Sequence, residues 1–151
     1  MRSFLRGMLL TALLAALLSP QSASAAGKNL FLPRLVASSF VRALLVGRVK
    51  TAAPLCAPRV NFDGKWVEGE KPLREALQRL VARARRSRLR LRSVQVLTHA
   101  EMVRRYGPPP PRLAKVVKRK DVFALARFDR MGLVMGLQRQ GRLYRIKFLS
   151  D

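Results

Sequence analysis

The stretch from Pro72 to Arg86 constrains the fold of this chain more than any other. Leu73, Ala76, Leu77, Leu80, Val81 and Ala84 recur at i, i+3, i+4, i+7, i+8 and i+11, while Arg74, Gln78, Arg79, Arg83, Arg85 and Arg86 fall largely off that stripe. This is the period of an amphipathic helix with one face to bury, and Pro72 suits its first position. Such a helix needs a second layer, and the rest of the chain supplies strands. Leu89 and Leu91 share one parity, Val94 and Val96 the other, so a bulge near Arg92-Ser93 is expected to bend that strand. Three further strands are expected at about Val116–Asp129, Leu133–Gln138 and Arg142–Leu149, with Tyr144, Ile146 and Phe148 sharing a face.

Between these elements the punctuation is local. Ser38 or Ser39 can cap a helix carrying Phe40, Val41, Leu44 and Leu45 and ended by Gly47, and a second short helix runs from Val49 to about Ala57. Arg59–Asp63 and Lys65–Val67 read as short strands around an Asp63-Gly64 turn. Thr98-His99-Ala100-Glu101 is a capping box for a helix through Tyr106, ended by Gly107 and followed by the stiff run Pro108–Pro111. Helices followed by a bent antiparallel meander predict an α+β domain with the helices on one side of the sheet.

Residues 1–25 have the layout of an export signal: Arg2 and Arg6, then Met8–Leu18 apolar except for Thr11, then Ala23-Ser24-Ala25. Eleven helical residues reach only about 16 Å, too short to span a hydrocarbon core of about 30 Å. The expected organisation is a signal at 1–25, a linker at 26–37 and one domain at 38–151, with no transmembrane span in the mature chain. A periplasmic or secreted location follows, a mitochondrial presequence being the minor alternative. Removing the signal leaves 126 residues with 29 Lys plus Arg against 8 Asp plus Glu, the two missing cations being Arg2 and Arg6. Cys56 is the only cysteine and His99 the only histidine, so no internal disulfide, metal cluster or cofactor ligand set is expected.

The order of parts resembles the nuclear transport factor 2-like superfamily, which includes ketosteroid isomerases and polyketide cyclases of the SnoaL type. The resemblance covers about residues 38–151. It rests on Phe40-Val41-Arg42-Ala43-Leu44-Leu45-Val46-Gly47, Val60-Asn61-Phe62-Asp63-Gly64, Gly69-Glu70-Lys71-Pro72-Leu73 and Arg127-Phe128-Asp129-Arg130-Met131-Gly132. It implies a cone: a curved antiparallel sheet wrapped around the long helix, two short N-terminal helices, and a pocket at the open end. It also implies positions for chemistry. Asp63 falls at the isomerases' proton-transfer carboxylate, but their two oxyanion donors are replaced by Phe40 and Ala124, which have no hydrogen to give. Losing one such donor costs about 10²–10³ in rate. Asp63 also has the simpler reading of a turn residue, and His99 that of a surface residue. Phe40, Trp66, Tyr106 and Tyr144 are candidate pocket residues, and a homodimer paired through the sheets is a further expectation of the resemblance.

Charge opens a different class of function. Arg83, Arg85, Arg86, Arg88, Arg90 and Arg92 form one basic cluster, and Lys115, Lys118, Arg119 and Lys120 a second. Such a field attracts polyanions, among them lipopolysaccharide, anionic lipid or nucleic acid, in a salt-dependent way. No aromatic lies inside either cluster to stack on bases. Three readings therefore stand: a non-catalytic domain whose cone holds a small apolar ligand or a protein partner, a polyanion binder, and an isomerase or cyclase with Asp63 as base.

Overall fold

A computed structural model of the protein describes residues 29–151. The expected signal at 1–25, and the start of the expected linker, lie outside the described residues. Among the described residues no helix is long and apolar enough to cross a membrane. The chain forms α1 (Phe31–Leu45), α2 (Val49–Ala52), a 3₁₀ turn (Ala53–Leu55), β1 (Cys56–Phe62), β2 (Lys65–Glu68), α3 (Glu70–Arg86), β3 (Leu91–Thr98), α4 (His99–Tyr106), α5 (Pro111–Ala114), β4 (Val122–Phe128), β5 (Gly132–Gln140) and β6 (Leu143–Ser150). The fold is α+β: one six-stranded, curved, open sheet in the order β2-β1-β6-β5-β4-β3, with helices against it.

Neighbouring strands are antiparallel except β1 and β6, which run parallel. The sheet is therefore mixed rather than wholly antiparallel. This one parallel junction ties the β1–β2 hairpin to the meander.

The inner face carries the main core. Phe40, Val41 and Leu44 of α1 and Leu73, Leu77 and Val81 of α3 pack with Val96, Val122, Ala124, Ala126, Met135, Leu137, Ile146 and Leu149 of the strands. The helix lying against β3, β4 and β6 is α1, while α3 packs chiefly on α1, α2 and β2. The expected long helix is thus present, but α1 is the one that lies against the meander. It begins at Phe31, earlier than the serine caps suggest, and so takes in more than half of the expected linker. Asn29 Oδ1 accepts the Phe31 N–H at 3.0 Å. Pro33 lies in the first turn, where its missing N–H leaves no bond unmade.

Two other expectations change. The segment read as strand from Val116 begins as strand only at Val122, because Pro111–Ala114 is a short helix continued by turns through Val117 and Asp121. Its Leu113 and Val116 cover Phe123 and Phe148 on the outer face. The sheet is therefore covered on both faces at this point, not on one. The register shift between Leu91 and Ser93 is the expected bulge. A second shift, opposite Gly136 and Leu137, sends Ile146 inward and Phe148 outward, so these two do not share a face.

Beneath the outer layer lies a buried ion pair. Lys147 Nζ bonds the Asp121 carboxylate and donates to the Val116 carbonyl at 2.7 Å, and the Lys118 N–H donates to Asp121 Oδ2 at 2.6 Å. The extra residue of the β6 bulge is what lets Lys147 and Phe148 both point to this side.

Candidate functional site

A cavity of about 260 Å³ opens where α1, α3 and the ends of β1, β4, β5 and β6 meet. Its wall is apolar, formed by residues such as Val41, Leu44, Leu80, Phe128, Leu133 and Leu149. The helical stripe that packs the core at Leu73, Leu77 and Val81 continues into the cavity at Leu80 and Ala84. Past the last turn of α3 the core thus gives way to open space.

The polar groups stand in two pairs. Asp63 Oδ1 accepts from Ser150 Oγ at 2.8 Å and from Arg112 Nε at 2.9 Å, and Arg112 Nη2 also reaches Ser150 Oγ at 3.2 Å. Arg83 Nη1 lies 2.5 Å from Asp151 Oδ2. Each carboxylate in the lining therefore carries an arginine partner, and the serine hydroxyl is committed to Asp63. Such pairing holds the polar groups of an otherwise greasy opening in place.

Asp63 is first of all a turn residue. Its φ is +51° and that of Gly64 is +97°, the two positive values that a tight two-residue hairpin requires. Asn61 fixes the turn by accepting the Gly64 N–H at 2.8 Å, and the Asp63 N–H donates to the Leu149 carbonyl at 2.8 Å. The same turn points the carboxylate at Ser150. Phe40 and Ala124, where the resemblance led to the expectation of oxyanion donors, are fully buried in the core and are not part of the cavity wall.

None of the four aromatic candidates lines this cavity. Phe40 is core. Trp66 is exposed on β2, with the Arg59 guanidinium 4.4 Å above its ring. Tyr106 is on the other side of the sheet, where its hydroxyl accepts from Arg127 at 3.1 Å. Tyr144 borders a separate groove. His99 is not solvent-facing. It is half-buried, 5.9 Å from the Phe123 ring, and with Met102, Tyr106, Leu113 and Phe148 it lines a second apolar hollow of about 250 Å³ under α4 and the proline run.

Sequence reasoning did not identify Arg112, Ser150 and Asp151. Arg112 follows the last proline and lies 49 positions from Asp63 in the chain, so no local pattern links them.

The basic clusters take shape as surfaces. Arg85, Arg86, Arg88, Arg90 and Arg92 are exposed around the end of α3 and the start of β3, as are Lys115, Lys118, Arg119 and Lys120 before β4. Seven of the eight acidic side chains have bonding partners inside the fold: Asp63, Glu68, Glu70, Glu101, Asp121, Asp129 and Asp151. Few carboxylates remain to offset the outward-facing cations. Among the described residues no group of three His, Cys, Asp or Glu side chains could hold a metal ion. Cys56 is buried in the core, and burial pushes its thiol up to about 12.

The chain matches no protein-family model, and no curated protein matches its sequence.

Proposed function

We propose that this protein is a binding domain of the nuclear transport factor 2-like kind, which holds a small apolar ligand in the 260 Å³ cavity at the open end of its sheet. The observation that carries this reading is the contrast between wall and rim. The wall is aliphatic and aromatic, while the few polar groups of the lining are paired with one another or with Arg112. The kinship is supported by the element order of helices, hairpin, amphipathic helix and meander. An apolar cavity of about 150 Å³ takes benzene, so this one suits a bicyclic ring system or an aliphatic chain of similar bulk.

Binding rather than turnover is favoured by the state of Asp63. One carboxylate oxygen is engaged by both a hydroxyl and a guanidinium, and no side-chain donor stands at Phe40 or Ala124. Export and a periplasmic or secreted location remain part of the proposal, on the strength of the first 25 residues alone.

The test is thermal unfolding with naphthalene, decalin and a steroid ketone. A ligand at a hundred times its Kd stabilises by about 2.7 kcal/mol. The wild type should shift with at least one neutral probe, and Leu80→Trp, which fills the cavity from α3, should abolish the shift. No shift with any probe, or a shift that survives Leu80→Trp, refutes the site. Slow conversion of the ketone by the wild type, lost in Asp63→Asn, would overturn the non-catalytic part alone.

A further inference from the structure

The start of α1 presents apolar side chains that stay exposed among the described residues. Phe31 is 67% exposed, Leu35 52% and Leu32 43%. They sit at i, i+1 and i+4, on one side of the first turns of the helix. Buried Pro33 and Ala37 hold the opposite side to the core. Cations lie on one side of them. Arg34 is exposed on the same turn, and Leu32 shares a groove with Lys120, Arg139 and Arg142. Among the described residues no acidic side chain lines the groove.

Exposed apolar side chains on a helix beside a groove lined with Lys and Arg are the makings of an interfacial anchor, in which the apolar tips enter the boundary between headgroup and acyl chain and the cations meet lipid phosphates. A folded protein partner would have to offer a matching pocket for each jutting side chain. A fluid bilayer need not. We infer that this face, formed by Phe31, Leu32 and Leu35 with Lys120, Arg139 and Arg142, docks the protein onto an anionic membrane surface. The surface is distinct from both basic clusters except for Lys120, and it does not rest on the cavity's having a ligand.

The experiment is co-sedimentation of the full chain with vesicles of phosphatidylcholine, with and without phosphatidylglycerol. Each cation at an anionic surface contributes roughly fivefold to partitioning. Lys120→Glu with Arg142→Glu should therefore weaken binding to anionic vesicles by at least tenfold. Phe31→Glu with Leu35→Glu should do likewise; these positions are exposed, and an unchanged circular dichroism spectrum will show that the fold is kept. Arg86→Glu with Arg92→Glu, on the far cluster, should cost less. Equal losses in the two charge-reversal pairs would mean attraction by net charge alone and would overturn the assignment. So would wild-type binding by the Phe31/Leu35 variant, as expected if the apolar run Met8–Leu18 carries the protein to the bilayer. Phe31→Trp in a Trp66→Phe background gives an independent reading. Its emission should be solvent-like without lipid and quenched by brominated anionic lipid. A blue-shifted emission before lipid is added would mean that a second copy or another part of the chain already covers the face, and would refute the proposal.

Discussion

The buried pair Asp121–Lys147 makes a quantitative prediction. Both side chains are nearly inaccessible, with residue exposures of 2% and 5%. Among the described residues Asp121 Oδ1 has no hydrogen-bond partner, so Oδ2 carries all the compensation, from the Lys147 ammonium and the Lys118 N–H. Replacing Lys147 with Met keeps the length and apolar stem of the side chain but leaves the carboxylate buried without its counter-charge. Breaking one side of a buried pair costs about 3–5 kcal/mol. At roughly 3–5 °C per kcal/mol for a domain of this size, Tm should fall by roughly 10–20 °C. Lys147→Met combined with Asp121→Asn removes the stranded charge while keeping an acceptor for the Lys118 N–H, and should recover most of the loss. Urea unfolding followed by far-UV circular dichroism at neutral pH measures both. A cost below about 1 kcal/mol for the single variant, or a double variant as unstable as the single, would show that water or side-chain movement relieves Asp121 and that the pair is not isolated as described.

Further consequences follow from other close contacts. A Cβ on Gly136 would come within 1.8 Å of Phe148 Cε1, and Phe148 is fully buried. Gly136→Ala should therefore destabilise by about 1–3 kcal/mol, and Phe148→Leu added to it should cost less than the sum of the two changes, measured by denaturant unfolding. Cys56, with its thiol pushed up to about 12 by burial, should not react with a disulfide reagent at pH 8 in the native state, and its labelling under urea should track global unfolding. Glu101 is held below the usual carboxylate range by the Thr98 N–H and hydroxyl. Its stabilising effect is thus complete above the unfolded value of about 4.3 and fades as pH falls through the folded value. The stability gap between wild type and Glu101→Ala should be constant near neutrality and close in acid, as a pH series of melting curves will record.

How much of this was legible in the sequence depends on whether the signal was local. The capping box Thr98–Glu101 is there as expected, with both of its bonds. So is the bulge at Arg92-Ser93, since Leu91 and Val94 can only face the same core if an extra residue lies between them. The second bulge left no such trace. Ile146, Phe148 and Leu149 are all apolar, and only the presence of a second core under Leu113 and Val116 separates Phe148 from the other two. The start of α1 was hidden by Pro33, which marks a break in a helix interior but not in its first turn. At the cavity, Asp63 could be placed by its turn, and Leu80 and Ala84 by their stripe. Their partners Arg112, Ser150 and Asp151 come from distant parts of the chain, where pattern has nothing to say about proximity. The aromatic candidates lie scattered over the fold for a related reason. A large ring looks equally at home in a pocket, in a core and under an arginine, and Phe40, Trp66 and Tyr106 illustrate that ambiguity.

The parallel seam between β1 and β6 has a bearing on how the domain is made. The hairpin at one edge and the three-stranded ribbon at the other can each form early, but neither can close the inner core without the strand running from Leu143 to Ser150. That strand pairs with residues some 90 positions earlier in the chain, so its docking must overcome the loop-closure entropy of nearly the whole domain and is expected to limit the refolding rate. Until it docks, the free borders of β1 and β5 stand open to any other extended chain. A fragment ending at Gln140 would keep both borders unpaired, and would tend to associate with itself rather than remain a smaller folded unit.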